Sequence, residues 1–189
     1  MYTVGILGHS LLKPYLPEGE FFQENHNNIY LNFHCQSGAT YSSIFGTEAY
    51  SDLLNSSPDL VLLVLGGNDL VTGTRVSDVY SDLEYLVNSI VEGCSPQFGV
   101  YLVEPEQRYG DPRFVNPEDY NALRNSLVRK IRNKKFPSLL SITGRGITKE
   151  VLSEDGVHFD QFGQSLFITV IKGHISDLLF NSELAPSDL

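Results

Sequence analysis

The chain has 189 residues, 41% hydrophobic and 19% charged, the balance of an ordinary globular protein long enough to bury a core without metal or disulfide staples. Its 13 basic residues stand against 23 acidic ones, a net charge of −10, which disfavours direct nucleic-acid binding because phosphate contacts need a positive surface. The two cysteines, Cys35 and Cys94, form no metal-ligand spacing, and no apolar run reaches bilayer length, so a reducing intracellular, cytoplasmic setting without a transmembrane segment is expected.

The first element is Thr3 to Ser10. Val4, Ile6 and Leu7 mark a buried strand that stops at Gly8-His9-Ser10, a turn that presents a serine hydroxyl at a strand end. On its own Ser10 also fits a helix cap. The sequence begins almost directly with this strand, so no signal peptide is expected, and the start fits a domain cut from a longer polypeptide. Leu11 to Pro17 makes a short helical turn that Pro14 and Pro17 curtail. Residues 18–28 form a polar loop carrying Phe21 and Phe22. Ile29 to His34 alternates apolar and polar side chains and gives a second strand, bounded by Gly38. Gly46 to Asn55 reads as a helix, broken by Ser57-Pro58-Asp59; the sequon Asn55-Ser56-Ser57 is short enough to arise by chance.

Leu60 to Leu65 is six consecutive apolar residues ended by Gly66-Gly67, the pattern of a central strand covered on both faces. Val79, Leu83, Leu86, Val87 and Ile90 recur at helical spacing between about Val76 and Val91. Phe98 to Val103 is a fourth strand. A polar loop, 104–116, follows, and its Arg108, Tyr109 and Arg113 are placed to border a site and meet an anionic group. Asn116 caps a helix opened by Pro117. The second half of that helix gathers Arg124, Arg129, Lys130, Arg132, Lys134 and Lys135, which reads as a solvated face with cations near a helix C-terminus. Leu139 to Ile142 is a short fifth strand, Phe162 to Phe180 a final amphipathic helix, and 181–189 a flexible acidic tail.

Strands alternating with helices imply a three-layer α/β/α domain over residues 1–180, with a flavodoxin-like five-stranded parallel sheet in the order 2-1-3-4-5. Ligands then bind beyond the carboxyl ends of the strands, and each candidate segment follows a strand end. Gly66-Gly67-Asn68-Asp69 lets the backbone turn sharply, and Asn68 can aim its amide at a developing oxyanion. In Asp155-Gly156-Val157-His158, an Asp three residues before a His can accept from Nδ1–H and leave Nε2 free to take a proton from a serine. Gly38 can present a backbone N–H. In the order 2-1-3, Ser10 lies between Gly38 and Asn68, so these separate signals converge on one pocket.

These four blocks, in this order, resemble those of the SGNH (GDSL-type) hydrolases. The resemblance implies Ser10 as nucleophile, Asp155 and His158 as its catalytic partners, and an oxyanion hole formed by Ser10, Gly38 and Asn68, with no metal and no cofactor. The family's usual Asp before the serine is His9 here, which bears on the hydrogen bonds of the turn and on activity. Leu62 to Leu70, Tyr120-Asn121-x-x-Arg124 and Asp155 to Gly163 are also similar to esterase domains of LINE-type retrotransposon proteins.

Other chemistries lack their motifs. There is no Gly-x-Ser-x-Gly elbow, Walker phosphate loop, His-Glu-x-x-His or Rossmann glycine fingerprint. Cys35 reads as a buried thiol, His34 as structural, and His26 and His174 have no evident acidic partner. Tyr15, Leu16, Phe21 and Phe22 follow the nucleophile and can wall an acyl pocket, though such residues are more often core. Two functions remain: a serine esterase for acetyl, short-chain or lipid-like esters, or a non-catalytic acyl- or lipid-binding module on the same fold.

Overall fold

The structure, a computed structural model, describes residues 1–16, 19–110, 116–145 and 149–181. Arg113 and all of the acidic tail after Asn181 lie outside the described residues. Six strands form one sheet: β1 (Tyr2–Gly8), β2 (Glu20–Glu24), β3 (Asn27–Cys35), β4 (Leu60–Val64), β5 (Val100–Val103) and β6 (Ser138–Leu139). They lie in the order β2-β3-β1-β4-β5-β6. The five strands expected from the sequence are β3, β1, β4, β5 and β6, all parallel and in the expected order.

The sixth strand corrects the reading of 18–28 as a loop. β2 pairs antiparallel with β3, placing Phe21 opposite Tyr30 and Phe22 opposite Ile29. The two strands are joined by Asn25 and His26, both at positive φ (49° and 63°), the backbone signature of a tight two-residue hairpin. Lys172 pairs with Glu20 and lies over the Phe22 ring, 5.4 Å from its centroid, fastening this edge strand to the last helix.

Alternation along each strand splits the core into two layers. Val61 and Leu63 of β4 face α1 (Glu48–Ser56), α2 (Val76–Cys94) and α3 (Pro117–Asn133). Leu60, Leu62 and Val64 face α4 (Gln161–Phe180) on the other side. All five residues of β4 are buried, which is why its sequence is an unbroken apolar run. The asparagine cap and opening proline of α3 are in place, with the Asn116 side chain accepting from the Glu118 N–H. Its cations are not all solvated. Arg124 is 5% exposed, and Arg132 makes a two-pronged pair with the buried Glu104 carboxylate at 2.8 Å on each arm. β6 is shorter than expected, two residues rather than four.

The register levels the ends of the central strands. Gly8 stands opposite Cys35 of β3 and opposite Val64 of β4, so the loops beginning at His9, Gln36 and Leu65 leave the sheet side by side. Gly8 must stay small: a Cβ there would meet the Val64 carbonyl oxygen at 2.7 Å and a Leu12 methyl at 2.8 Å. We expect Gly8→Ala to destabilise the protein by about 1–3 kcal/mol, read as a lower urea midpoint with unchanged m-value.

Candidate active site

Ser10 opens a short 3₁₀ helix, Ser10–Tyr15, immediately after β1. The loop that faces it, 151–160, is shaped by its own hydrogen bonds. Leu152 bridges Phe159, and the Ser153 N–H donates to the His158 carbonyl at 2.7 Å. Within this loop Asp155 Oδ1 accepts from the Val157 and His158 amides and from the Ser153 hydroxyl, at 2.8, 2.9 and 2.8 Å. Its other oxygen, Oδ2, lies 2.6 Å from His158 Nδ1. The cap of α4 is Asp160, whose side chain accepts from the Gly163 N–H, so Asp155 is not needed for that task.

Burial works against a charged Asp155, but the hydrogen bonds from the His158 ring, the two amides and Ser153 more than offset it, holding the carboxyl well below the usual carboxylate range. An ionised carboxylate only accepts, so the proton between the two groups sits on Nδ1. In the neutral imidazole Nε2 then carries the lone pair, and it lies 2.9 Å from Ser10 Oγ. The three residues picked from the sequence thus stand in one hydrogen-bonded line, carboxylate to imidazole to hydroxyl.

The structure places the other two candidates as follows. Gly38 takes φ +75° and is exposed, with no atom within 4 Å of where a Cβ would stand. Asn68 follows Gly66-Gly67, and the φ of +97° at Gly66 and the Tyr41 hydroxyl against it exclude any side chain there. The Asn68 Nδ2 donates to the Ala39 carbonyl at 3.0 Å, one residue past Gly38. Its Oδ1 accepts from Arg108 Nη2 at 3.2 Å.

His9 is buried, 6% exposed. Burial first, then the neighbouring Arg108 and His158, push its imidazole down to about 3. It is therefore uncharged at neutral pH, and its Nδ1 has no hydrogen-bond partner among the described residues. Because the folded value lies below the unfolded one of about 6.5, His9 stabilises the fold above pH 6.5, and that contribution is lost as pH falls toward 3. Cys35 donates its thiol to the His9 carbonyl at 3.2 Å, and burial pushes that thiol up, away from a reactive thiolate.

Of the residues after Ser10 that can wall an acyl pocket, Tyr15 and Phe22 take the commoner core role. Tyr15 stacks between Phe33 and Phe167, Phe22 packs on the α4 side of the core, and Phe21 is 67% exposed. Sequence reading also passed over the role of Tyr120, Asn121 and Arg124, which organise the loop after β5. The Tyr120 hydroxyl donates to the Glu106 carbonyl at 3.0 Å, and Arg124 Nε to the Pro105 carbonyl at 2.7 Å. The Asn121 carboxamide bonds both the N–H and the C=O of Arg108. Their i, i+1, i+4 spacing near the start of a helix was the available signal. A cleft of about 460 Å³ borders this region, lined by Arg124, Arg129 and Arg132 among others, but shares no residue with the Ser10–His158–Asp155 line. Among the described residues no group of three His, Cys, Asp or Glu is placed to hold a metal, and no helix is long and apolar enough to cross a membrane.

Solved structures share this architecture over nearly the whole chain. A lipase/acylhydrolase from Enterococcus faecalis superposes with a TM-score of 0.65 at 17% identity, covering 100% of both chains. The psychrotrophic esterase EstA from a Pseudoalteromonas species, solved in a form inhibited by monoethylphosphonate, gives 0.66 at 21% identity over 95% of this chain and 99% of its own. A GDSL-like lipase from Bacteroides thetaiotaomicron gives 0.66 at 17% over 94% and 89%. The sequence matches no protein-family model and no curated protein. At these identities the likeness establishes a shared fold. The chain has the three-layer fold of the SGNH (GDSL-type) hydrolases; the named structures lend nothing to the narrower likeness to retrotransposon esterase domains.

Asp69, next to Asn68, is 8% exposed. Burial pushes its carboxyl up to about 7, against the lowering effect of the Tyr41 amide, and its Oδ2 has no partner among the described residues. A folded value above the unfolded one of about 3.9 means that stability is lost as pH rises from about 4 to 7. Asp69→Asn, which keeps the acceptor for Tyr41, is expected to stabilise the protein by about 1–3 kcal/mol at pH 8 and by little at pH 4. Thermal unfolding at the two pH values measures the difference.

Proposed function

We propose that the protein is a serine esterase acting on acyl esters, with acetyl and other short or lipid-like acyl groups as the substrate class. The observation that carries this reading is the line from Asp155 Oδ2 through the His158 ring to Ser10 Oγ, 2.6 and 2.9 Å long. His158 Nε2 takes the Ser10 proton as Oγ attacks the ester carbonyl, and Asp155 stabilises the imidazolium that forms. The oxyanion is received by the N–H groups of Ser10 and Gly38 and by the second Nδ2 hydrogen of Asn68. The open space beside Gly38 gives a carbonyl oxygen room to approach. His158 then protonates the departing alcohol, leaving an acyl-Ser10 ester. Water, activated by the same imidazole, attacks that ester and releases the acid.

A fluorophosphonate probe tests the reading directly, since it reports an activated serine rather than any one substrate. Wild-type protein should be labelled on Ser10, and Ser10→Ala should take no label. A well-folded wild type that stays unlabelled would instead be an acyl-binding module on an esterase fold. In p-nitrophenyl acetate hydrolysis, Asp155→Asn is expected to lower kcat by about 10⁴, because the wrong imidazole tautomer then faces Ser10. Asn68→Ala is expected to cost on the order of 10²–10³. A parental rate in either variant removes that residue from the scheme.

A further inference from the structure

Arg108 is held in place from several sides. Its backbone N–H donates to Asn121 Oδ1 at 3.1 Å, and its carbonyl accepts from Asn121 Nδ2 at 2.7 Å. Its guanidinium lies 4.5 Å over the Tyr120 ring, itself tied to the Glu106 carbonyl. The free end of the side chain delivers Nη2 to Asn68 Oδ1. Three elements, the loop after β4, the loop after β5 and the first turns of α3, thus meet at one guanidinium.

The consequence for Asn68 follows from its chemistry. A carboxamide can turn through 180° and exchange its oxygen and nitrogen at little steric cost. Here the guanidinium offers only donors and the Ala39 carbonyl only an acceptor. A turned amide would set its NH₂ against the guanidinium and its oxygen against a carbonyl, losing both bonds. Asn68 therefore keeps one orientation, with its second Nδ2 hydrogen pointing in a fixed direction. The bond to the guanidinium is also charge-assisted, and it polarises the amide so that its N–H donates more strongly.

Among the described residues no carboxylate is paired with Arg108, and the buried imidazole beside it, His9, is neutral. A cation next to an oxyanion donor favours negative charge developing there. We propose that Arg108 is a positioning residue that locks and polarises the Asn68 carboxamide for the oxyanion, so that its charge acts on the transition state through Asn68. This rests on the esterase reading of the site. An acting-through relation of this kind leaves a specific trace: the effect of Arg108 disappears once Asn68 is gone.

A double-mutant cycle on the full chain tests it, with p-nitrophenyl acetate as substrate. Arg108→Met keeps a long side chain on the Tyr120 ring and removes the charge and the donors. It is expected to lower kcat by about 10-fold to 10²-fold, less than the loss of the donor itself, with KM little changed. In the Asn68→Ala background the same change is expected to have almost no further effect. Arg108→Lys, which retains the charge without the planar fork, should fall between wild type and Arg108→Met, and it serves if the methionine variant does not fold. Losses in Arg108 and Asn68 that multiply, an Arg108 effect confined to KM, or an unchanged kcat each overturn the proposal while leaving Ser10 labelling intact. A wild type that neither hydrolyses the ester nor takes the fluorophosphonate overturns the esterase reading and this inference with it.

Discussion

One short hydrogen bond, from the His158 ring to Asp155, decides what the rest of the site can be. Without an ionised partner on Nδ1, the imidazole would have no reason to keep its lone pair toward Ser10. Asp155 stays ionised because four donors from its own loop and the histidine ring converge on it, outweighing the cost of partial burial. The loop is thus organised around the carboxylate first. The histidine follows from it, and the contact with the serine follows from the histidine.

That loop has to arrive opposite the end of β1, and the sheet arranges this. Gly8, Cys35 and Val64 lie in register, so the segments that carry Ser10, Gly38 and Asn68 emerge from neighbouring strands at one edge. The loop after β5 closes against the Asp155–His158 loop through two glycines. The Tyr109 N–H donates to the Gly156 carbonyl at 3.0 Å, and a Cβ on Gly110 would stand 2.5 Å from the Asp155 carbonyl oxygen. The buried carboxylates behind this loop work structurally. Glu104 holds Arg132, and Glu106 accepts from the Ile142 and Thr143 amides and the Thr143 hydroxyl, with burial pushing its carboxyl up. The same loop carries Arg108, so the fold's bracing of the β5 edge and the orientation of Asn68 are one construction.

Much of this was legible in the residues because the physics behind each signal is local. The unbroken run Leu60–Leu65 demands burial on both faces, and alternation of strand and helix leaves few topologies, so the order of the five parallel strands followed. Ser10, Gly38 and Asn68 were legible because each sits just past a strand end beside residues that turn the chain, and Asp155 and His158 because their spacing of three stands just before the last helix. The hairpin strand β2 was missed because Glu20-Phe21-Phe22-Gln23-Glu24 shows no clean alternation; the signal lay in Asn25-His26, a two-residue turn at positive φ. The solvated face expected of the α3 cations holds for Arg129, Arg132, Lys134 and Lys135, all exposed; Arg124 departs from it because sequence spacing does not show that its side chain will reach the buried Pro105 carbonyl. The role of His9 was equally hidden: only the packed structure shows it buried, neutral and wedged beside Arg108.

The central claim is that Ser10 forms a covalent bond with the acyl group during turnover, and rapid quenching tests it most directly. Wild-type protein mixed with p-nitrophenyl acetate, quenched in acid within the first turnovers and digested, is predicted to carry an acetyl group on the Ser10 peptide, released alcohol appearing in a burst before the steady rate. Sustained release of alcohol and acid with Ser10 unmodified at every time point would contradict the account.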